Sequence, residues 1–181
     1  MKMISLIKLR SKDVASNGFP SLASILGDPV LVRARTLAKV MEVVNRAAGV
    51  ESQKIWYRLG EEAGEEMASF LIGKMKTKRS RIAKFLISES QSAGWGKVTF
   101  CGNRFGGIEG TIRIENSPLL SSDSTGDACQ LYKGYIAGFL KRIYDIGGVE
   151  CTDGSCLRKG GPFCELRVKK RREKWLRSIL I

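Results

Sequence analysis

The stretch Lys97-Val98-Thr99-Phe100-Cys101-Gly102-Asn103-Arg104-Phe105-Gly106-Gly107-Ile108-Glu109-Gly110-Thr111-Ile112-Arg113-Ile114-Glu115 decides the fold. Its second half alternates Ile108, Gly110, Ile112 and Ile114 with Glu109, Thr111, Arg113 and Glu115. That two-residue period belongs to a strand with one buried and one wetted face. Gly102 to Gly107 forms a glycine-rich turn after the run Lys97 to Cys101, so the two runs are expected to pair as an antiparallel hairpin.

Upstream of the hairpin the period changes to that of helices. Asp28 precedes Pro29 as an N-cap precedes a first-turn proline, and Val30, Leu31, Leu37, Val40, Met41 and Val44 follow at helical spacing up to Gly49. A second helix is expected over Glu51 to Lys74, with Ile55, Leu59, Ala63, Met67, Phe70 and Leu71 on its apolar side and Gly60 and Gly64 one turn apart. Glycine inside a helix costs about 1 kcal/mol relative to alanine, so this pair implies close packing against another element or room for a ligand, packing being the simpler reading. A third helix, Ser80 to Ser92, presents Ile82, Phe85, Leu86 and Glu89.

Downstream, Pro118 to Asp127 carries no pattern. Cys129 to Tyr144 resumes helical spacing through Leu131, Tyr135, Ile136, Phe139, Leu140 and Ile143. Val149 to Thr152 and Phe163 to Val168 read as a last strand pair around Gly160-Gly161-Pro162. Helices, hairpin, helix and hairpin in that order give an α+β domain, an antiparallel sheet packed against several helices. It is expected to span residues 28–168. Residues 1–27, with Ile4, Leu6 and Leu9 alternating, form an N-terminal strand or arm. Residues 169–181 form a basic amphipathic tail, in which Lys169-Lys170-Arg171-Arg172 leads into Trp175, Leu176, Ile179, Leu180 and Ile181.

With 181 residues and 43% hydrophobic content, the chain can fill one core. It contains no histidine, which excludes Ser-His-Asp and Cys-His catalysis and removes the commonest nitrogen ligand for metals. Neither G-x-G-x-x-G after a strand nor G-x-x-x-x-G-K-[ST] occurs, so no nucleotide cofactor is expected and no catalytic residue is assigned. Lys2, Lys8 and Arg10 interrupt the first apolar run, and no uncharged stretch approaches the roughly 18 residues of a membrane span, which points to a cytoplasmic protein. Nearly all of the net charge of +13 sits in two segments. Lys74 to Lys84 holds six basic residues and no acid; Arg167 to Arg177 holds seven and one acid. Such runs are solvated faces, or surfaces for an anionic membrane or a nucleic acid.

Five cysteines are too few for a disulfide scaffold. Cys156 and Cys164 are separated by seven residues across the Gly-Gly-Pro turn, with Asp153 just before them and Cys129 at the start of the preceding helix. Thiolate and carboxylate ligands in tetrahedral array suit zinc, at about 2.3 Å for sulfur. The residues alone leave three readings open: a metal site, a disulfide, or buried thiols acting as small hydrophobes.

The order Trp95-Gly96, Ile114-Glu115-Asn116-Ser117-Pro118, Cys129 with Gly134-Tyr135-Ile136-Ala137-Gly138-Phe139, and Cys156 and Cys164 flanking Gly160-Gly161-Pro162-Phe163 resembles the 4-vinyl reductase domain family. Leu59-Gly60-Glu61-Glu62-Ala63-Gly64-Glu65 is similar to that family's glycine- and alanine-rich helix, and the resemblance covers roughly residues 31–168. It implies an α+β fold related to the small subunits of the transport protein particle (TRAPP), a homodimer, and a non-catalytic sensory or binding role toward a small apolar ligand. It also implies a zinc held by Cys129, Asp153, Cys156 and Cys164, with Asp where the family has Glu and with Cys151 as a spare ligand. A pocket between sheet and helices follows, with Trp56, Phe70, Phe85, Trp95, Phe100, Ile112, Tyr135 and Phe139 as candidate lining, which are also the residues of an ordinary core. Phenol-sensing members hold the hydroxyl with a histidine, so a phenol is not the expected ligand here. The alternatives are a TRAPP-like scaffold for proteins or membranes and a regulator that binds nucleic acid through Lys74–Lys84 and Arg167–Arg177.

Overall fold

The computed structural model describes Ile25 and residues 32–104, 108–122, 127–156 and 163–171. The chain divides into two compact units, Met1–Leu31 and Val32–Ile181, and the description that follows concerns the second. The expected N-terminal arm, the Asp28-Pro29 helix start, the Gly160-Gly161-Pro162 turn and the tail beyond Arg171 lie outside the described residues.

Helix α1 spans Ala34–Ala48 and runs through a single 3-10 turn into α2, Ser52–Met75. Arg33, in extended backbone, precedes α1, so the helix begins later than the spacing from Pro29 suggests. Gly49 ends it with φ of 54°, a left-handed conformation that glycine adopts without Cβ strain. Helix α3, Arg79–Glu89, is followed by β1, Lys97–Arg104, and β2, Glu109–Glu115. The segment without a pattern holds a short helix α4, Pro118–Ser122, ahead of the long α5, Asp127–Tyr144. Strands β3, Val149–Asp153, and β4, Cys164–Lys170, complete the unit.

The sheet order is β1-β2-β4-β3, antiparallel throughout, and the expected α+β class holds. Register aligns Val98 with Ile114, Ile114 with Cys164, Ile112 with Leu166 and Cys151 with Val168, which puts these residues on one face. That face is apolar and buried, and α5 and α3 pack near it, α5 against β3 and α3 against β1. The alternation in residues 108–115 is thus the sheet's inside and outside.

Helices α2 and α5 meet along glycines. A Cβ on Gly60 would overlap the Leu131 carbonyl, one on Gly64 the Tyr135 carbonyl, one on Gly134 the Tyr57 carbonyl and one on Gly138 the Glu61 carbonyl. The backbones therefore touch where no side chain intervenes. Polar clamps extend the contact: Lys141 Nζ lies 2.6 Å from Glu65 Oε1, and Arg142 Nε donates to Ser69 Oγ at 2.9 Å.

This geometry corrects the expected apolar side of α2. Its buried residues are Ser52, Trp56, Gly60, Gly64, Ala68 and Leu71, whereas Ile55 is 38% and Leu59 50% exposed. Leu71 is buried as expected and the expected packing of Gly60 and Gly64 holds; close helix approach selects the small residues, while Ile55 and Leu59 are turned outward.

Candidate functional site

A cavity of about 80 Å³ lies between α3, α5 and the sheet. Helix α3 supplies Ala83, Leu86 and Ile87 to its wall, the sheet Val98, Ile112 and Ile114, and α5 the stripe Tyr132, Tyr135, Ile136, Phe139 and Leu140. Trp95, at the entry to β1, and Ser90 complete the lining. The α5 spacing is the i, i+3, i+4, i+7 pattern of one helical face, and the same helix turns its glycines to α2.

Stacked rings form one side of the cavity. Trp95 lies 5.4 Å edge-to-face from Tyr132 and 5.7 Å from Tyr135 in a stack, which continues to Phe139 at 6.4 Å. Tyr132 donates its hydroxyl proton to the Trp95 carbonyl at 2.7 Å and meets Ser117 Oγ at 2.8 Å, with the Leu120 N–H also bonding to Ser117 Oγ. Burial pushes the Tyr132 phenol up to about 12, against the opposing effect of the Ser117 bond. Ser90 Oγ is likewise engaged, donating to the Ile87 carbonyl and accepting from Val98 N–H. Burial, and then the charge of Glu66, raise the Tyr135 phenol above its ordinary value. Among the described residues no charged side chain lines the cavity, so it suits an apolar occupant.

Of the eight candidate lining residues, Trp95, Ile112, Tyr135 and Phe139 border the cavity. Trp56 is buried elsewhere, its Nε1 donating to Asn45 Oδ1 at 3.1 Å. Phe70 carries the Lys74 ammonium 5.7 Å above its ring. Phe85 is a core residue of α3, and the Phe100 ring lies over Gly110 across the strand pair. Helix α3 reaches the cavity through Ala83, Leu86 and Ile87 and not through the expected Phe85, and α5 adds Tyr132, Ile136 and Leu140, which share the helical stripe of Tyr135 and Phe139.

Cys129, Cys156 and Cys164 converge, their three sulfurs all within 4.8 Å of one another. None of the three is in a disulfide; Cys164 is buried, while Cys129 and Cys156 are partly open. Two thiolates at about 2.3 Å from one tetrahedral metal lie roughly 3.8 Å apart, so the trio fits a single soft metal ion with little movement. The Cys129 thiol is pushed well above its ordinary value, first by its hydrogen bond to Cys164 and then by burial, with Cys156 adding to the effect. Without a cation the group is held protonated, and a metal would displace those protons. The close approach of Cys156 and Cys164 expected from their spacing is present.

Asp153 is not a member of this group. Lys133 holds it instead, with Nζ 2.8 Å from each carboxylate oxygen. Cys151 is buried on β3 outside the trio; burial first, then Asp153, push its thiol up to about 12 against the lowering effect of Lys133.

In the first basic segment Lys76, Lys78, Arg81 and Lys84 are exposed. Arg79 is structural, its guanidinium capping α5 by donating to the Ile143 carbonyl at 2.9 Å. No helix among the described residues is long and apolar enough to cross a membrane.

No family model matches the sequence, and no curated protein matches it. Solved structures do. The phenol-responsive sensory domain of the transcription activator PoxR, with phenol, aligns at a TM-score of 0.65 and 16% identity over 78% of this chain and 76% of that one. A trafficking protein particle complex subunit 3 from Naegleria fowleri, covalently bound to palmitic acid, aligns at 0.55 and 14% over 76% and 95%. A vinyl-4-reductase family protein from Methanocaldococcus jannaschii aligns at 0.52 and 17% over 81% and 86%. These likenesses establish the architecture: the chain has a vinyl-4-reductase-like α+β fold, related to that of the trafficking-particle subunit.

Proposed function

We propose that the chain is a non-catalytic binding module for a small apolar molecule, acting as a homodimer with a structural zinc. The observation that carries this reading is the cavity walled by Trp95, Tyr135, Phe139 and α3, with no charged group among the described residues that line it. Its roughly 80 Å³ is small beside the ~300 Å³ at the lower end of drug-sized pockets, which favours one ring or a slim aliphatic chain. Occupied forms of two similar folds, one with phenol and one with palmitic acid, support that class. Binding would be coupled to a partner through α3 and α5, whose side chains form most of the wall.

The dimer reading rests on exposed apolar residues of α1, α2 and the 3-10 turn between them. Val43 and Val50 are 56% and 90% exposed, beside the outward Ile55 and Leu59, and such surface is usually covered in an assembly. The zinc reading rests on the three converging sulfurs, the kind of donor that favours zinc over hard cations. When bound, the ion would tie α5 to β4 and to Cys156, adding its binding energy to folding.

The same exposed stripe also suits a scaffold that docks another protein, and the exposed Lys76, Lys78, Arg81 and Lys84 suit an anionic membrane or nucleic acid. Native mass spectrometry of protein purified without chelator separates these readings. The binding module gives dimer mass, one zinc per chain and a releasable apolar molecule. A monomer with neither contradicts it.

A further inference from the structure

We infer that the cleft between α2, the start of α5 and the end of β4 binds a phosphate monoester, held by Lys54, Arg58 and Arg171. The site is separate from the apolar cavity and from the thiol trio, and requires neither.

The cleft has a volume of about 490 Å³ and opens to solvent. That is within the ~300 to 1,000 Å³ of pockets for small molecules. Gln53, Tyr57 and Glu61 stand four residues apart on α2, with Lys54 and Arg58 beside them, so a single helix face supplies one wall. Gln130 of α5 and Arg171 supply the other. Arg171 is fixed where β4 ends: its main-chain N–H donates to the Gly148 carbonyl at 2.9 Å, and its side-chain stem lies 3.6 Å from where a Cβ on Gly148 would stand. Gln130 Oε1 accepts from the Lys133 ammonium at 3.5 Å, which leaves the amide nitrogen as the group that can donate to a ligand.

Among the described residues that line the cleft, three cations accompany one carboxylate, a net charge of +2. A phosphate monoester carries nearly two negative charges at neutral pH, and a guanidinium fork matches its oxygens in pairs. The ion pairs at the cleft leave donors to spare. Arg58, its side chain 74% exposed, reaches Glu61 Oε2 through one Nη at 3.3 Å, and Lys54, 76% exposed, shares its ammonium with Glu51 at 2.9 Å. Pairs so exposed are weak and give way to a better-placed anion. Arg171 is in no ion pair among the described residues. The Tyr57 phenol lies among these charges: burial first, then Glu61 and Cys151, raise it, and Arg171 and Arg58 oppose them. It therefore keeps its proton at neutral pH and adds a hydroxyl donor to the three cations.

Two titrations of the full chain test the site and separate its two sources of phosphate ester. Glycerol 3-phosphate in a calorimeter probes a soluble ester; sedimentation with phosphatidylcholine vesicles containing phosphatidic acid probes a lipid headgroup. Saturable binding is expected in one arm or both. The double variant Arg58→Gln with Arg171→Gln should weaken it by about tenfold or more, since each change removes a charge-assisted bond to the anion. Both side chains are exposed, so circular dichroism should show the fold unchanged. Arg81→Gln with Lys84→Gln removes the same charge from α3, outside the cleft, and should leave affinity within about twofold, because salt screens charges beyond a Debye length. Equal weakening by the two pairs would reduce the effect to overall charge and overturn the inference. So would the lack of saturable binding in both arms.

Discussion

Gly64 of α2 meets the Tyr135 main chain of α5 so closely that a Cβ would overlap the carbonyl oxygen, while the Tyr135 ring stacks on Trp95 at the cavity wall. Helix packing and ligand pocket therefore share one residue. Gly64→Ala forces the helices apart and should cost about 3 kcal/mol in urea unfolding, the upper range for overpacking. Gly73, in the same helix, has nothing within 4 Å of an added Cβ. Gly73→Ala should stabilise by about 0.5 to 1 kcal/mol through helix propensity. Equal effects at the two glycines would argue against backbone contact.

The hairpin of residues 97–115 was legible because strand alternation is a local signal, and so was α5, whose apolar residues repeat at helical spacing. The buried side of α2 was legible in part: the pair Gly60 and Gly64 implied close packing, but Ile55 and Leu59 dominate the hydropathy, and the glycines become a face only when α5 brings Gly134 and Gly138 to them. The approach of Cys156 to Cys164 could be read from spacing, and the family resemblance added Cys129 to them. The hold of Lys133 on Asp153 could not, since it depends on where β3 ends against α5. Trp56 and Phe85 show why aromatic content alone misplaces a pocket: both fill core space.

Tyr144 supplies a test by subtraction. Its hydroxyl is buried and finds no hydrogen-bond partner among the described residues, and burial pushes its phenol up to about 12 from the ordinary 10.0. An unsatisfied buried hydroxyl costs on the order of 1 kcal/mol, so Tyr144→Phe should raise stability by about that much at neutral pH. The sign with pH follows from linkage. The unfolded chain loses the phenolic proton near pH 10, the folded one only near 12, so the group's contribution is intact below pH 10 and is lost as pH rises to about 12. The stability difference between Phe variant and wild type should widen across that window in urea titrations. A constant difference would show that the phenol is not shifted.

Leu59, 50% exposed on the outward stripe of α2, should lie in the dimer contact. Leu59→Arg places a charge there and should convert the dimer to monomer in light scattering at micromolar concentration, with the circular dichroism spectrum unchanged. Retention of dimer mass would move the interface elsewhere.

The apolar ligand is the central claim, and the most direct measurement compares what is released from two proteins. Ile136 borders the cavity on α5, and Ile136→Trp should fill a space of about 80 Å³ while circular dichroism confirms the fold. Solvent extraction and mass analysis of freshly purified wild type should release an uncharged apolar molecule in near-stoichiometric amount, and the tryptophan variant should release almost none. Equal release from both proteins, or none from wild type even after incubation with small aromatic and aliphatic compounds, would contradict the account.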